Sequence, residues 1–174
     1  MGNGLGKTTL VNGVYYSPKL SDKFEKRVFV TIMRPFDPSE HLRRLIVGLH
    51  EGSSTKEELL GNSVSNTKKQ LALKSVEELT KEVAKLLETK SCLIVLDDLL
   101  DTSEWDLIKP RLFPWLVKTS RIIVTTRNEN IANHCSEEVG NVHNLQVLEP
   151  EDALRLFCNK VISNCCILLG LKTH

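Results

Sequence analysis

The 174-residue chain has no long apolar run. Its longest aliphatic stretches include Leu93–Leu96 and Ile167–Leu169, far shorter than the roughly 20 residues that a membrane-spanning helix requires. The N-terminus also lacks a basic segment followed by an apolar one, which is the pattern of a secretory signal. These absences predict a chain without a membrane span.

The chain also lacks a cysteine framework and an excess of charge of either sign. Its 5 cysteines are odd in number and irregularly spaced, without a Cys-x-x-Cys pair, so they predict reduced thiols and a cytoplasmic location rather than disulfides or a zinc site. The 23 basic and 22 acidic side chains nearly cancel, which argues against a nucleic-acid-binding surface. Affinity for a phosphate ligand would therefore have to come from a local site.

Alternating helical and extended patterns predict an α/β domain with a mostly parallel sheet. Capping signals predict helices after Asp37, Ser75 and Asn128, because each of these residues can accept a backbone N–H at a helix start. The predicted strands are Arg27–Met33, Cys92–Leu96, Arg121–Thr126 and, more weakly, Val142–Leu148. The other predicted helices run from Lys7 to about Tyr16, from Ser103 to Lys109 before Pro110, and onward from Pro150. Residues 52–67 are predicted to be a mobile connection.

Three segments carry residue types suited to binding a nucleotide, and the first is Gly4-Leu5-Gly6-Lys7-Thr8-Thr9. Glycines allow successive backbone N–H groups to turn toward phosphate oxygens. The Lys7 ammonium adds a positive charge, and the Thr8 hydroxyl can reach Mg²⁺. Taken alone, the segment could also be a glycine-rich turn that caps a helix.

The second segment is an apolar run that ends in two aspartates, Leu93-Ile94-Val95-Leu96-Asp97-Asp98. A buried parallel strand delivers the residues at its carboxyl end to the sheet edge where a P-loop also lies. Asp97 is therefore a candidate for holding Mg²⁺, and Asp98 for orienting or polarising an attacking water. Without a glycine-rich loop before it, the run would indicate a strand that ends in a solvated acidic turn.

The third segment is Ser120-Arg121-Ile122-Ile123-Val124-Thr125-Thr126-Arg127. This strand would bring hydroxyls and a guanidinium to the same carboxyl edge of the sheet. Arg127 could contact a γ-phosphate and so distinguish ATP from ADP. The alternative is a surface arginine that follows a core strand.

In this order, the three segments resemble the NB-ARC domain of plant nucleotide-binding leucine-rich-repeat immune receptors, a branch of the STAND group of P-loop NTPases. The matching motifs are GLGKTTL, LIVLDDLLDTSEW and SRIIVTTRNENIANHC, and the run SRIIVTTRNENIA is specific to this family in a way that the P-loop is not. The stretches FEKRVFVTIMRPFDPSEHLRRLI and NVHNLQVLEPEDALRLFCNKV are also similar. The resemblance covers about residues 2 to 161.

The resemblance implies a three-layer P-loop NTPase fold and a molecular switch rather than a turnover enzyme. In the family, ADP holds the resting state, exchange for ATP drives oligomerisation and defence signalling, and slow hydrolysis resets the switch. Carried over to this sequence, the resemblance implies that Gly4 to Thr9 bind the nucleotide and that Thr8 and Asp97 hold Mg²⁺. It also implies that Asp98 assists hydrolysis and that Arg127 senses the γ-phosphate.

The sequence departs from the family pattern at both ends. Met1 occupies the place of the glycine that the P-loop spacing requires five residues before Gly6. A strand before the loop, the GLPLA motif, the winged-helix portion and the leucine-rich repeats are all missing from the sequence. We therefore expect a truncated NB-ARC domain over residues 1–161 and a non-family tail over residues 162–174.

Two other classes of function stay open at this point. One is an ATPase or kinase that turns over steadily, although no acceptor-substrate pocket and no arginine finger beyond Arg127 is evident in the sequence. The other is a non-binding interaction fragment, which would pair with full-length receptors or with itself through an exposed sheet edge.

Overall fold

The computed structural model describes residues 6–51, 69–136, 141–146, 149, 151, 152 and 155. Residues from Gly6 to Val142 belong to one unit, whereas His143–His174 belong to a second unit of which few residues are described. In this second unit residues 151, 152 and 155 are helical, and the guanidinium of Arg155 pairs with the Asp152 carboxylate at 3.1 Å. The predicted mobile connection over residues 52–67 and the predicted tail over 162–174 lie outside the described residues.

The sheet of the first unit contains three parallel strands in the order β1-β2-β3. Strand β2 lies between the other two and is almost completely buried, as its continuous apolar run predicted. The register places Val28 opposite Ile94 and Ile94 opposite Ile122. The strands are β1 Lys26–Thr31, β2 Cys92–Leu99 and β3 Arg121–Thr126.

Helices cover both faces of this sheet. Because side chains alternate across a strand, Ile94 and Leu96 of β2 face one layer of helices while Leu93 and Val95 face the layer that contains α1. This arrangement confirms the predicted α/β architecture. Among the described residues the helices are α1 Lys7–Tyr15, α2 Pro18–Ser21, α3 Pro38–Glu51, α4 Val76–Leu87, α5 Thr102–Leu112 and α6 Glu129–Cys135, with a 3₁₀ turn at Phe113–Trp115 and a helical turn over residues 69–72.

Local capping chemistry fixes several helix starts. Ser75 caps α4 in a reciprocal capping box with Glu78, as the sequence predicted. The Asn128 side chain accepts the Asn130 N–H at the start of α6, which confirms a second predicted cap. The Asp37 carboxylate accepts the Ser39 N–H before α3. None of the helices within the described ranges is long and apolar enough to cross a membrane.

Two predictions about secondary structure are wrong. Helix α5 does not end before Pro110 but continues to Leu112, because its buried face packs into the core on both sides of the proline, through Trp105 and Ile108 before it and Leu112 after it. Residues 142–146 of the predicted fourth strand have no regular structure. Val142 and Leu145 are three residues apart, so they cannot share the face of a strand.

Helix α3 approaches β1 closely at Gly48. A Cβ atom added at Gly48 would lie 2.4 Å from Cγ2 of Val28 and 3.5 Å from its Cβ. Valine is stiff at χ1 and is buried here, so it cannot move aside without disturbing the core. The glycine is therefore required by packing and not by backbone conformation.

We expect Gly48→Ala to destabilise the fold by about 1–3 kcal/mol, because the clash exceeds the helix-propensity gain of about 1 kcal/mol. The matched control is Gly13→Ala in α1, where an added Cβ meets nothing within 4 Å and where only the propensity gain should be seen. Urea unfolding of both variants measures the difference. Equal stabilisation by both substitutions would contradict the close approach of α3 and β1.

His41 lies in the first turn of α3 and is only 5% exposed. Desolvation, reinforced by the nearby charge of Arg44, lowers the pKa of His41 to about 4. The folded protein therefore keeps this imidazole neutral at a pH where the unfolded chain, with an ordinary histidine pKa, has already taken up a proton.

We expect His41 to make the free energy of unfolding fall as the pH falls from about 6.5 to 4, by on the order of 3 kcal/mol over the full range. Below that range both states are protonated and the loss is complete. Urea unfolding at pH 7.5 and 4.5 should show a smaller pH dependence in His41→Leu than in the wild-type chain. An identical pH dependence in the two proteins would contradict the neutral, buried state of His41.

Candidate functional site

The predicted phosphate loop leads directly into α1. Gly6 is the N-cap of this helix and has a left-handed backbone with φ of 75°, which glycine adopts without the steric cost that a Cβ would add. Lys7 is the first helical residue, so its amide and those that follow lie at the positive end of the helix dipole. Thr8 and Thr9 belong to the same exposed first turn, whereas Gly4 and Leu5 lie outside the described residues.

The first turn of α1 meets the carboxyl end of β2 through Thr8 and Asp97. The Thr8 hydroxyl lies 3.0 Å and 3.1 Å from the two carboxylate oxygens of Asp97. The two residues predicted to hold Mg²⁺ are therefore in direct contact, although 89 residues separate them in sequence.

A third residue, Thr125 of β3, completes the surroundings of this carboxylate. Its hydroxyl donates to Oδ1 of Asp97 at 2.6 Å and accepts the backbone N–H of Asp98 at 3.0 Å. Asp97 is only 4% exposed. A carboxylate so deeply buried is costly unless hydrogen-bond donors surround it, and Thr8 and Thr125 are two such donors.

Asp98 has a different environment from its neighbour. Its backbone is left-handed, with φ of 66°, and the β2–β3 register shifts between Leu96 and Leu99. This local turn directs its carboxylate to the Arg127 guanidinium, with Nε 3.2 Å from Oδ1. Both side chains of this pair are partly exposed, so the predicted water-polarising residue and the predicted phosphate sensor contact each other at the mouth of the site.

A second charged pair lies beside this turn. Arg34 follows β1. Its guanidinium contacts the Glu104 carboxylate of α5 at 2.6 Å and also donates to the backbone carbonyl of Asp98 at 3.1 Å. The other oxygen of Glu104 accepts the N–H groups of Leu100 and Asp101 at 3.2 Å and 3.3 Å. These contacts connect the segment after β1, the end of β2 and the start of α5 at the carboxyl edge of the sheet.

The oxygen ligands of this site fit a hard cation such as Mg²⁺. Within the part of the chain that the structure describes, no group of three or more His, Cys, Asp or Glu side chains could hold a metal ion. Mg²⁺ in nucleotide sites characteristically uses one or two carboxylates together with phosphate oxygens and water. Thr8 and Asp97 therefore suit a cation that arrives with a nucleotide rather than one held by the protein alone.

Sequence reasoning missed three contributors to the site, namely Arg34, Glu104 and Thr125. The third segment predicts a Thr125 hydroxyl at the carboxyl edge of the sheet, but it does not predict the contact with Asp97. The strand register could have predicted this contact. It pairs Val124 of β3 with Leu96 of β2, so the residues that follow them, Thr125 and Asp97, reach the same edge of the sheet. Glu104 stands three residues after Asp101, which is the spacing of a capping box, but the contact between Arg34 and Glu104 gave no signal because it depends on how α5 packs against the sheet.

Comparison with known proteins identifies the family of the chain. The family model described as the NB-ARC domain matches residues 1–166. The chain belongs to the NB-ARC family. The match extends past residue 161, and the predicted boundary there remains a prediction. NB-ARC is a nucleotide-binding domain.

Similar proteins carry names from plant disease resistance. The NB-ARC chain is 30% identical to the disease resistance protein RPP13 of Arabidopsis thaliana over 92% of its own length. It is 28% identical to RPP13-like protein 4 over 90% of its length, and 27% identical to RPM1 over 90%, both also from Arabidopsis thaliana. It spans only 18%, 16% and 16% of the lengths of these three proteins, respectively.

We expect Thr125→Val to destabilise the fold by about 1–3 kcal/mol, because it removes a donor to the buried Asp97 and an acceptor for the Asp98 N–H. The matched control is Thr126→Val, since the Thr126 hydroxyl only accepts the Asn128 N–H at 3.3 Å near the surface. Its effect should stay within about 0.5 kcal/mol. Urea unfolding compares the two, and equal losses would show that the Thr125 hydroxyl contributes nothing specific.

Proposed function

We propose that this NB-ARC chain is an ADP/ATP-binding switch module of a plant immune receptor that acts in the defence response. The observation that carries the proposal is the contact of Thr8 and Thr125 with the buried Asp97 at the end of β2. It joins the helix that follows the glycine-rich loop to the acidic end of a parallel strand. This is the arrangement that a nucleotide bound with Mg²⁺ requires.

In this proposal each residue has a defined task. The amides from Gly4 to Thr9 and the Lys7 ammonium bind the phosphates, while Thr8 and Asp97 hold Mg²⁺. When bound, Mg²⁺ would neutralise charge on the phosphate oxygens. Asp97 is already buried and surrounded by hydroxyl donors, so little rearrangement of its carboxylate is needed.

The Arg127–Asp98 pair supports a switch rather than steady turnover. Arg127 would contact the γ-phosphate of ATP, and in doing so it would leave Asp98. While the pair is intact, the Asp98 carboxylate and the Arg127 guanidinium contact each other rather than an attacking water or a phosphate. We therefore propose hydrolysis that is slow at most, and a steady rate above about 1 s⁻¹ would count against this assignment.

The proposal includes a cytoplasmic location. Burial raises the pKa of the Cys92 thiol and of the Cys135 thiol to about 11 in each case, so both stay protonated and poorly reactive at neutral pH. Unpaired, unreactive thiols suit a reducing compartment.

The test is a thermal shift with ADP and Mg²⁺. At a ligand concentration of 100 times Kd, binding should stabilise the fold by about 2.7 kcal/mol, or roughly 5–10 °C for a domain of this size. Lys7→Ala should abolish the shift, because it removes the positive charge beside the phosphates. Lys19→Ala on exposed α2 is the matched control and should keep it.

Absence of any shift in the wild-type chain at millimolar ADP with Mg²⁺ would refute nucleotide binding. A shift that survives Lys7→Ala would place the ligand outside the P-loop. Either result removes the basis for a switch.

A second candidate function is pairing with full-length receptors or with another copy of the chain. The observation that favours it is β3, which pairs with β2 along one edge while Ile122, Ile123 and Val124 remain only half-buried. Among the described residues no strand pairs with the other edge of β3, and a free parallel edge is a template for a further strand. Co-precipitation with a full-length receptor that persists in Lys7→Ala would favour pairing over nucleotide switching, and loss of co-precipitation in that variant would count against it.

A further inference from the structure

The backbone at Asp98 is left-handed, with φ of 66°. This conformation crowds the Cβ atom of any residue except glycine, and although aspartate tolerates it better than most residues, surrounding contacts add to its stability. This turn separates two carboxylates with different tasks. The Asp97 carboxylate faces Thr8 and Thr125, whereas that of Asp98 faces Arg127.

Three backbone contacts surround the turn. The Asp98 N–H donates to Thr125 Oγ1, and the Asp97 carbonyl accepts the Ile32 N–H at 2.8 Å. The Asp98 carbonyl accepts from Nη2 of Arg34 at 3.1 Å, which is a charge-assisted hydrogen bond. Arg34 therefore contacts the peptide group that follows the left-handed residue and resists its rotation.

Arg34 is itself fixed by a buried partner. Its Nη1 lies 2.6 Å from Oε1 of Glu104, whose side chain is 9% exposed. Oε2 of Glu104 accepts the N–H groups of Leu100 and Asp101, so the carboxylate cannot turn away. The guanidinium thus bridges the Asp98 carbonyl and a fixed carboxylate, a geometry that the planar fork of arginine allows and that a lysine ammonium reproduces poorly.

We propose that Arg34 is a positioning residue for the nucleotide site. It maintains the left-handed turn at Asp98, and through this turn it sets the separate orientations of the Asp97 and Asp98 carboxylates. The expected effect of Arg34 on nucleotide binding rests on the proposed binding of ADP with Mg²⁺. The contacts of Arg34 with Asp98 and Glu104 do not depend on that proposal. A residue that only stabilised the fold would affect all nucleotide binding equally.

The test compares Arg34→Gln with Arg44→Gln, measured on the full chain. The control is matched because Arg44 also pairs with a glutamate, Glu40, at 3.2 Å, but on the exposed face of α3. We expect Arg34→Gln to raise the Kd for ADP with Mg²⁺ by about tenfold, the lower end of the range for groups that orient a metal ligand. The Kd for ADP in EDTA should change much less, since without Mg²⁺ the phosphates are bound by the loop amides and Lys7 and not by a cation on Asp97.

Arg34→Lys should give an intermediate Kd with Mg²⁺, because it restores the charge but not the bridge. Arg44→Gln should resemble the wild-type chain in both conditions. If Arg34→Gln weakens ADP binding equally with Mg²⁺ and in EDTA, the role of Arg34 is structural and the proposal is overturned.

A second readout needs no nucleotide. Amide hydrogen exchange at Asp98 should become about tenfold faster in Arg34→Gln and stay unchanged in Arg44→Gln, while amides paired in the β1–β2 ladder keep their protection. Unchanged exchange at Asp98 overturns the proposal even if ADP binds. Failure of the wild-type chain to bind ADP overturns the proposed function instead, and the exchange experiment then still decides whether Arg34 holds the turn.

Discussion

The structure of this site depends on the burial of one carboxylate, that of Asp97, among hydrogen-bond donors. Hydrogen bonds from Thr8 of α1 and Thr125 of β3 offset the cost of its burial, and each ties a different element to the end of β2. The position of α1 against the sheet, the register of β3 and the orientation of the candidate metal ligand therefore follow from the same set of contacts. A change at any of the three residues disturbs the other two.

Charged groups at the mouth of the site have a different role, because solvent reaches them. The Arg127–Asp98 pair is partly exposed and can separate when a phosphate competes for the guanidinium. The Arg34–Glu104 pair is more sheltered and holds the backbone between the two aspartates. The site thus combines a buried, hydrogen-bonded centre with a charged pair that solvent reaches, which fits the proposed switch.

Much of the fold could be predicted from the sequence, because its signals are local. Periodic apolar residues gave the positions of α3 and α4, continuous apolar runs gave β2 and β3, and side chains at Ser75 and Asn128 gave two helix starts. Prediction failed where tertiary packing competes with local preference. Helix α5 passes through Pro110 because its buried residues on both sides outweigh the lost backbone hydrogen bond.

The sequence by itself determined the family and the chemical types at the site, since motif order and the residues at strand ends are properties of the chain. It placed Thr8, Asp97, Asp98 and Arg127 at one edge of a parallel sheet. Only the tertiary structure decided which of these groups contact one another, that Thr125 completes the Asp97 site, and that Arg34 reaches the turn at Asp98. These contacts depend on strand register and helix packing, which join residues far apart in sequence and leave no local pattern.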